Sequence, residues 1–168
     1  MAASKKDPVD LIAAQWQRER PDLDLAAMAI LGRLGRLMTV AMPRIEAVFT
    51  AHGLQRGEFD VLAALRRSGA PFELNPSVIA DTLMLSRAGM TGRLDRLESA
   101  GLVRRTADTA DRRAIRVALT EQGRDVIDKV VTEHTENETR LLAVLSEQDR
   151  AELDRIARVL LAGLEAGA

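Results

Sequence analysis

Apolar residues recur at intervals of three and four along most of this chain, the spacing of one helical face. Helix-start signals mark several boundaries: Asp7 before Pro8, Asn75 before Pro76, and Thr120 and Ser146 as N-cap residues. Pro43 falls inside the longest pattern and predicts a kink there. Together these signals predict helices over residues 9–20, 25–52, 56–67, 76–83, 86–100 and 120–145, and a last helix from residue 146.

The segment 77–119 changes from the helical period to the period of a strand. A short apolar helix is followed by a turn and by a second helix that begins at Ser86 and ends before Gly101. Two β-prone runs follow, 102–106 and 114–119. In the second, Ile115, Val117 and Leu119 alternate with Arg116 and Ala118, so a half-buried strand is expected to bury the first three and expose the other two. Helix, turn, helix and basic hairpin form a winged helix-turn-helix pattern, which places one helix in a DNA groove.

The sequences LSRAGMTGRLDRLESAGLVRR and DTADRRAIRVALTEQG, with GLQRGEFDVLAALRRSG before them, resemble the MarR family of transcription regulators. The resemblance extends over residues 25–164. It implies a single domain over residues 1–168, in which residues 54–119 form the winged helix-turn-helix lobe and residues 9–52 and 120–166 form a helical dimerisation region. It also implies a homodimer that binds palindromic double-stranded DNA, acts as a repressor and releases DNA when a small molecule binds.

The net charge of −1 conceals a division of charge along the chain. Residues 86–116 hold eight arginines and four carboxylates, a local charge of +4, whereas residues 120–168 hold eleven acids and six bases, a local charge of −5. This division is expected to place a positive potential on the second helix of the motif and on the hairpin. The alternative is a solvated surface on which arginines cluster by chance.

The second helix of the motif presents an apolar stripe on one side and small residues on the other. Small side chains at Ala88 and Gly92 would let the backbone approach base edges, and Arg87 is expected to contact a guanine, a phosphate or a neighbouring acid. In the MarR family, which this sequence resembles, an Asp-x-Arg pattern in the wing contacts the DNA minor groove. The resemblance implies that Asp111 orients Arg113 to enter the groove here, with Arg112 as the alternative. Two exposed arginines on a mobile loop are the simpler interpretation. The predicted DNA-contacting residues are therefore Ser86, Arg87, Ala88, Thr91, Arg96, Asp111, Arg112 and Arg113.

A second set of residues resembles the ligand site of a urate-responsive MarR branch. Two guanidinium groups, Arg93 and Arg105, suit a small anionic aromatic effector, Trp16 would stack on it, and Asp60 would accept from a ring N–H. Each has a structural alternative. Trp16 is also expected as a core or interface anchor, Asp60 as a carboxylate favoured in the first turns of its helix, and the arginines as phosphate contacts or partners of Asp60.

Several function classes lack the residues they need. The chain has no cysteine, and its two histidines, His52 and His134, have no partner at metal-ligand spacing. We therefore expect no enzyme, no catalytic residue, no metal and no cofactor. No apolar run is long enough for a membrane span, and residues 1–10 do not resemble a signal peptide, so a cytoplasmic protein is expected. The competing functions are a constitutive or architectural DNA-binding protein without an effector, and a helix-turn-helix used for protein contact.

Overall fold

The computed structural model describes residues 6–83, 87–107 and 115–167; of residues 87 and 88 it describes the backbone alone. The described chain is mainly helical with one small antiparallel sheet. The elements in chain order are α1 (Pro8–Glu19), α2 (Ala26–Ala51), α3 (Arg56–Arg67), β1 (Glu73–Leu74), α4 (Pro76–Thr82), α5 (Arg87–Ser99), β2 (Val103–Ala107), β3 (Ile115–Leu119), α6 (Glu121–Leu141) and α7 (Glu147–Glu165). The predicted fold class, mainly α with a small β wing in a winged helix-turn-helix arrangement, is confirmed.

The helix-start signals in the sequence correspond to real N-caps. Asp7 and Ser146 each accept hydrogen bonds from first-turn N–H groups and take part in reciprocal capping boxes, and Thr120 accepts from the first turn of α6. Asn75 occupies the N-cap of α4 in an extended conformation, but its side chain makes no capping bond. The positions of these helix starts therefore follow from local hydrogen bonding.

The predicted end of α6 near residue 145 is wrong by one turn, because α7 begins with its own cap. The helix ends at Leu141, and Leu142 has left the helical conformation. The Leu142 carbonyl, freed from the helix, accepts a hydrogen bond of 3.1 Å from Arg150 Nε on the first turns of α7. The chain thus reverses between the two helices in a short turn that the apolar pattern alone did not reveal.

The sheet has three strands in the order β1-β3-β2, all antiparallel. The sequence did not predict β1, which pairs Glu73 with Ala118 and makes β3 the central strand. For this reason the expected exposure of Ala118 is wrong: it is 1% exposed. The expected burial of Ile115 is also wrong, since this residue at the start of the strand is 50% exposed. A central strand packed by helices buries both faces, unlike half of an isolated hairpin.

The described chain divides into two compact units, one ending at Arg44 and the other beginning at Ile45, so that α2 contributes to both. The second unit contains a continuous apolar core built from α3, α4, α5, the sheet and the first half of α6. Its largest fully buried side chains are Val61, Leu62, Leu65, Ile79, Leu97, Val117, Ile127 and Val130. This core fixes the surroundings of α5, which the sequence predicts to enter DNA.

The first unit is held by a different set of contacts. Val9 of α1 is buried, and a Cβ at Gly32 would lie 3.4 Å from the Val9 side chain, so α1 and α2 pack closely there. Arg33 of α2 binds the Asp7 carboxylate at 2.8 Å and also Asp10 of α1. Close packing and these ion pairs therefore join α1 to the N-terminal part of α2.

Large apolar side chains remain exposed on helices of both units. In α7 no residue is buried, although leucines, isoleucine and valine recur along it. Soluble monomers rarely expose apolar area on this scale, and such faces mark interaction surfaces. These exposed apolar side chains include Leu11, Ile12, Met28, Leu31, Leu34, Leu37 and Met38 in the first unit, and Leu153, Ile156, Val159, Leu160, Leu161 and Leu164 in α7.

Candidate nucleic-acid interface

Helix α5 is anchored in the core by a narrow apolar stripe. Met90, Leu94 and Leu97 are all buried, as the helical spacing predicted. On the opposite side Ser99 is exposed and Gly92 is half-buried with almost no neighbouring side chain. One face of α5 is therefore buried and the other is open to a partner.

On the flank of α5 that faces α3, Arg96 is held by an acidic partner. Its Nε donates to Glu58 Oε1, and its Nη2 lies 3.4 Å from Gln55 Oε1 at the start of α3. Glu58 is 5% exposed, while its other oxygen accepts from the Gln55 N–H at 2.7 Å. Arg96, which the sequence predicts as a phosphate contact, thus contacts protein groups at this end of α5.

On the opposite flank, Arg105 of β2 joins the wing to α5. Its Nη1 lies 2.7 Å from Asp95 and 3.3 Å from Glu98, and its Nη2 donates to the Thr91 carbonyl at 3.4 Å. The backbone N–H of Arg105 also donates to Glu98 at 3.0 Å. These bonds link the strand that leads into the wing to the exposed helix, so the two parts of the interface are mechanically connected.

Asp60 of α3 lies in a partly buried, cationic environment. Burial raises the pKa of its carboxyl above the usual 3.8, while the nearby arginines, Arg93 among them, and His134 act in the opposite direction. The Arg93 side chain runs across Gly57, where an added Cβ would collide with the guanidinium. Asp60 and Arg93 are therefore close enough for their charges to interact.

The four residues of the predicted ligand set are distributed over different parts of the chain. Asp60 and Arg93 lie on the side of α5 that faces α3, whereas Arg105 lies on the wing side, bound to Asp95. Trp16 belongs to the first unit, where it is 44% exposed. The structure thus brings Asp60 and Arg93 together and places Arg105 with a different set of partners.

Arg105 also lines a cavity of about 470 Å³ between α4, α5 and the sheet. Most of the lining is apolar and comes from residues such as Pro76 and Leu94, and Ser77, Thr91 and Arg105 are its polar members. A cavity of this size and composition lies within the range of small-molecule sites. It adjoins the open face of α5, so a molecule bound there would touch the helix that the sequence predicts to enter the DNA groove.

Part of the predicted interface lies outside the described residues. Ser86 and the wing residues Asp111, Arg112 and Arg113 belong to this part, and the side chains of Arg87 and Ala88 are not described either. Thr91 is described, and it is exposed. The roles assigned to all of these residues stay predictions from the sequence.

Glu58 is a residue that sequence reasoning missed. It lies four and seven positions before Leu62 and Leu65, on the same helical face as those two core leucines. An acidic residue on an apolar stripe signals a buried carboxylate that needs partners, and Gln55 three positions earlier signals a capping box. Both signals were present, but the partner Arg96 is 38 residues away.

Two findings bear on other functions. Among residues 6–83, 87–107 and 115–167, no group of three histidine, cysteine or acidic side chains is arranged to hold a metal ion. Within the same ranges, no helix combines the length and apolarity needed to cross a membrane.

An exposed helix on a buried stripe, beside a β wing, defines the class of winged helix-turn-helix proteins. Comparison with known proteins narrows this class. Residues 52–114 match the model of the MarR family. The chain is 42% identical to the HTH-type transcriptional regulator PecS of Dickeya dadantii, over 92% of this chain and 90% of that protein. The chain therefore belongs to the MarR family of transcription regulators.

Two further comparisons support this assignment. The HTH-type transcriptional repressor MdtR of Bacillus subtilis is 27% identical, over 86% of each chain. The crystal structure of Sco3205, a MarR family regulator from Streptomyces coelicolor, in complex with DNA, superimposes with a TM-score of 0.75 at 19% identity, covering 84% of this chain and 89% of that one. The latter similarity concerns the fold.

Proposed function

We propose that this protein is a regulator of transcription that binds double-stranded DNA through α5 and the wing. The observation that carries the proposal is the geometry of α5: its apolar stripe is buried, both flanks are fastened by ion pairs, and its outer face is open. A helix held in this way can enter the major groove as a rigid body. The proposed contacts are Ser86, Arg87, Ala88, Thr91 and Arg96 on the helix side and Asp111, Arg112 and Arg113 on the wing.

The test is enrichment of duplexes from a random pool by the purified protein, followed by binding titrations at several salt concentrations. Specific binding should weaken steeply with salt, because each neutralised phosphate releases counterions. Salt-insensitive binding, or failure to enrich any duplex, would favour a helix-turn-helix used for protein contact. The cytoplasmic location expected from the sequence stays part of this proposal and agrees with DNA as the partner.

We infer that the protein acts as a homodimer through residues 9–52 and 120–166. Support comes from the exposed apolar side chains of α1, α2 and α7, which a second copy would cover. A two-fold dimer would place two α5 helices on a pseudo-palindrome with half-site centres ~10 bp apart. Light scattering should give twice the chain mass, and footprinting should show two protected half-sites; a monomer on one asymmetric site contradicts the inference.

We further propose that a small anionic aromatic molecule, urate-like in shape and charge, releases the protein from DNA. Asp60 and Arg93, which lie close together, are the first proposed contacts. Arg105, on the other flank of α5, and Trp16, in the first unit, stay in the proposal from the sequence alone. Arg105 already binds Asp95 and Glu98, so an anion that recruited it would compete with the acids that fasten the wing to α5. A tenfold loss of DNA affinity requires ~1.4 kcal/mol of coupling free energy between effector binding and DNA binding, which charge-assisted contacts can supply.

A thermal-shift screen with urate, xanthine and salicylate would identify an effector, because a ligand of the folded state raises its stability. DNA titrations with and without that effector then compare wild type with Asp60→Asn. The matched control is Asp128→Asn. It removes a carboxylate of α6 that is paired with Arg66, at another position of α3. Asp60→Asn should bind DNA normally and respond weakly to the effector, whereas the control should respond fully.

The alternative is a constitutive or architectural DNA-binding protein without an effector. It predicts that no small molecule alters the DNA affinity. The relative MdtR is named a repressor, which favours repression as the regulatory outcome for this chain. A reporter gene placed behind the enriched duplex would separate repression from activation.

A further inference from the structure

Glu58 is the charged residue buried most deeply in the described part of the chain, at 5% exposure. Both of its carboxylate oxygens are used. Oε2 accepts from the Gln55 N–H at 2.7 Å and closes the first turn of α3, while Oε1 accepts from Arg96 Nε on α5. A carboxylate is tolerated in a core only when it is paired and hydrogen-bonded. Here that requirement is met by bonds that join α3 to the last turn of α5.

We propose that Glu58 and Arg96 are positioning residues for DNA binding, and that Arg96 acts through Glu58 rather than through a phosphate. The proposal rests on the DNA-binding function proposed above. It changes the role of Arg96 from a direct phosphate contact to a support of α5, the helix proposed to enter the groove. It also adds Glu58, which is too deeply buried to touch DNA.

The need for such a support follows from the narrow apolar stripe of α5. Three side chains in one line, Met90, Leu94 and Leu97, hold the helix against the core but resist rotation about its own axis poorly. At 100° per residue, Arg96 and Asp95 lie about 130° from the centre of this stripe, on opposite sides. Arg96 is fastened to α3 and Asp95 to β2 through Arg105. Each ion pair opposes one direction of rotation, so together they set which residues face the groove.

The Glu58 side is the firmer of the two supports. Glu58 is fixed by its own capping box and its side chain is 6% exposed, whereas the anchor on the other side, Arg105, is 25% exposed. The helix-side partners Arg96 and Asp95 are exposed to a similar degree. Removing Arg96 leaves the buried Glu58 carboxylate without its charged partner, and neutralising Glu58 lets the half-exposed Arg96 guanidinium turn toward solvent. Movement of Arg96 would release the last turn of α5 from α3 and allow the helix to rotate.

Direct phosphate contact and positioning predict opposite effects of one substitution. If Arg96 contacts phosphate, the Glu58 carboxylate competes for it, and Glu58→Gln should strengthen DNA binding. If Arg96 positions the helix, Glu58→Gln should weaken binding. The salt dependence separates the two roles again, because loss of a phosphate contact reduces the slope of log K against log salt by about 0.9 and loss of a support does not.

The experiment uses the full-length protein and the duplex that the wild type enriches from a random pool. Binding is measured over a salt series for Glu58→Gln, Arg96→Gln, the double variant and Asp128→Asn. The last variant is the matched control: it removes the same charge from a pair with an arginine, Arg66, that does not involve α5. Thermal melting of each variant checks that it is folded at the assay temperature.

We expect Glu58→Gln and Arg96→Gln each to weaken binding about tenfold with an unchanged salt slope. The double variant should bind about as weakly as either single variant, because the two residues act through one interaction. The control should bind like wild type.

The proposal is overturned if Glu58→Gln binds more tightly than wild type, or if Arg96→Gln lowers the salt slope by about 0.9. If Glu58→Gln does not fold, the slope measured for Arg96→Gln decides alone. A wild-type protein that enriches no duplex contradicts the proposed function itself, whereas normal wild-type binding with unaffected variants contradicts only this inference.

Discussion

Gly123, in the first turn of α6, lies directly against the carbonyl oxygen of Leu102. A Cβ built at position 123 would stand 1.9 Å from that oxygen and 2.8 Å from its carbon, far inside van der Waals contact. The Leu102 carbonyl is itself fixed, because it accepts from the Thr120 N–H at 3.1 Å. Glycine is therefore required at this position for space, where α6 begins beside the strand that leads into the wing.

Gly123→Ala should consequently destabilise the protein, by roughly 1–3 kcal/mol, because backbone atoms must move to admit the methyl group. Gly163→Ala in α7 is the matched control: outside its own helix backbone, no atom of the described residues lies within 4 Å of its added Cβ. That substitution should stabilise the helix by roughly 0.5–1 kcal/mol, the usual gain of alanine over glycine. Urea denaturation of both variants measures the difference, and equal effects would contradict the close contact at Leu102.

Asp60 should make stability fall as the pH rises. Burial raises the pKa of its carboxyl above 3.8, so the folded protein binds a proton that the unfolded chain has already released. The stability that Asp60 contributes is therefore fully present below 3.8 and is lost as the pH rises through the raised pKa. Asp60→Asn removes this effect and should be more stable than wild type at neutral pH, with the difference disappearing in acid. Denaturation midpoints over a pH series measure it.

Glu133 provides the control of opposite sign for the Asp60 measurement. Its hydrogen bond with His52 Nε2, at 2.7 Å, holds the pKa of the Glu133 carboxyl below 4.5. Its contribution is present above 4.5 and is lost as the pH falls through the lowered value. Glu133→Gln should therefore be less stable than wild type at neutral pH. If Asp60→Asn changes stability in the same direction, burial does not dominate at Asp60.

Much of the fold could be predicted because its signals are local. Capping residues such as Asp7 and Ser146, the apolar stripe of α5 and the positive φ of Gly101 all act within a few residues of their positions in the sequence. Their physical causes are hydrogen bonds of the first turn, helical periodicity and the conformational freedom of glycine. The sequence displays each of these causes directly.

The remainder depends on contacts between distant residues. β1 is two residues long, and it forms because Glu73 and Leu74 pair with β3, more than 40 residues later. Glu58 acquires its role from Arg96, and Arg105 acquires Asp95 as a partner although the sequence suggested a ligand. The charge of an arginine is readable from sequence, but which carboxylate it meets is decided by packing.

Gly92 should matter for DNA binding more than for stability. It lies opposite the buried stripe of α5, and among the described side chains an added Cβ would approach the end of the flexible Arg96 side chain, with Nη1 at 3.8 Å. Gly92→Ala should therefore raise the unfolding free energy by roughly 0.5–1 kcal/mol. Gly92→Leu should keep that stability yet weaken DNA binding, because a branched side chain would hold the helix away from base edges. Unimpaired binding by Gly92→Leu would show that this face of α5 does not enter the groove.

The wing supplies the last prediction. Arg113 follows Asp111 in the Asp-x-Arg pattern, and an arginine in a narrow minor groove is attracted by its negative potential. Arg113→Ala should cost on the order of 1–3 kcal/mol of DNA-binding free energy and reduce the preference for A·T-rich flanks, where the groove is narrow. Arg112→Ala is the neighbouring control and should weaken binding less, with little change in flank preference. Titrations on duplexes that differ only in A·T-rich or G·C-rich flanks measure both effects.

Wild-type binding by Arg113→Ala together with weakened binding by Arg112→Ala would assign the groove contact to Arg112. Unaffected binding by both variants would remove the wing arginines from the interface.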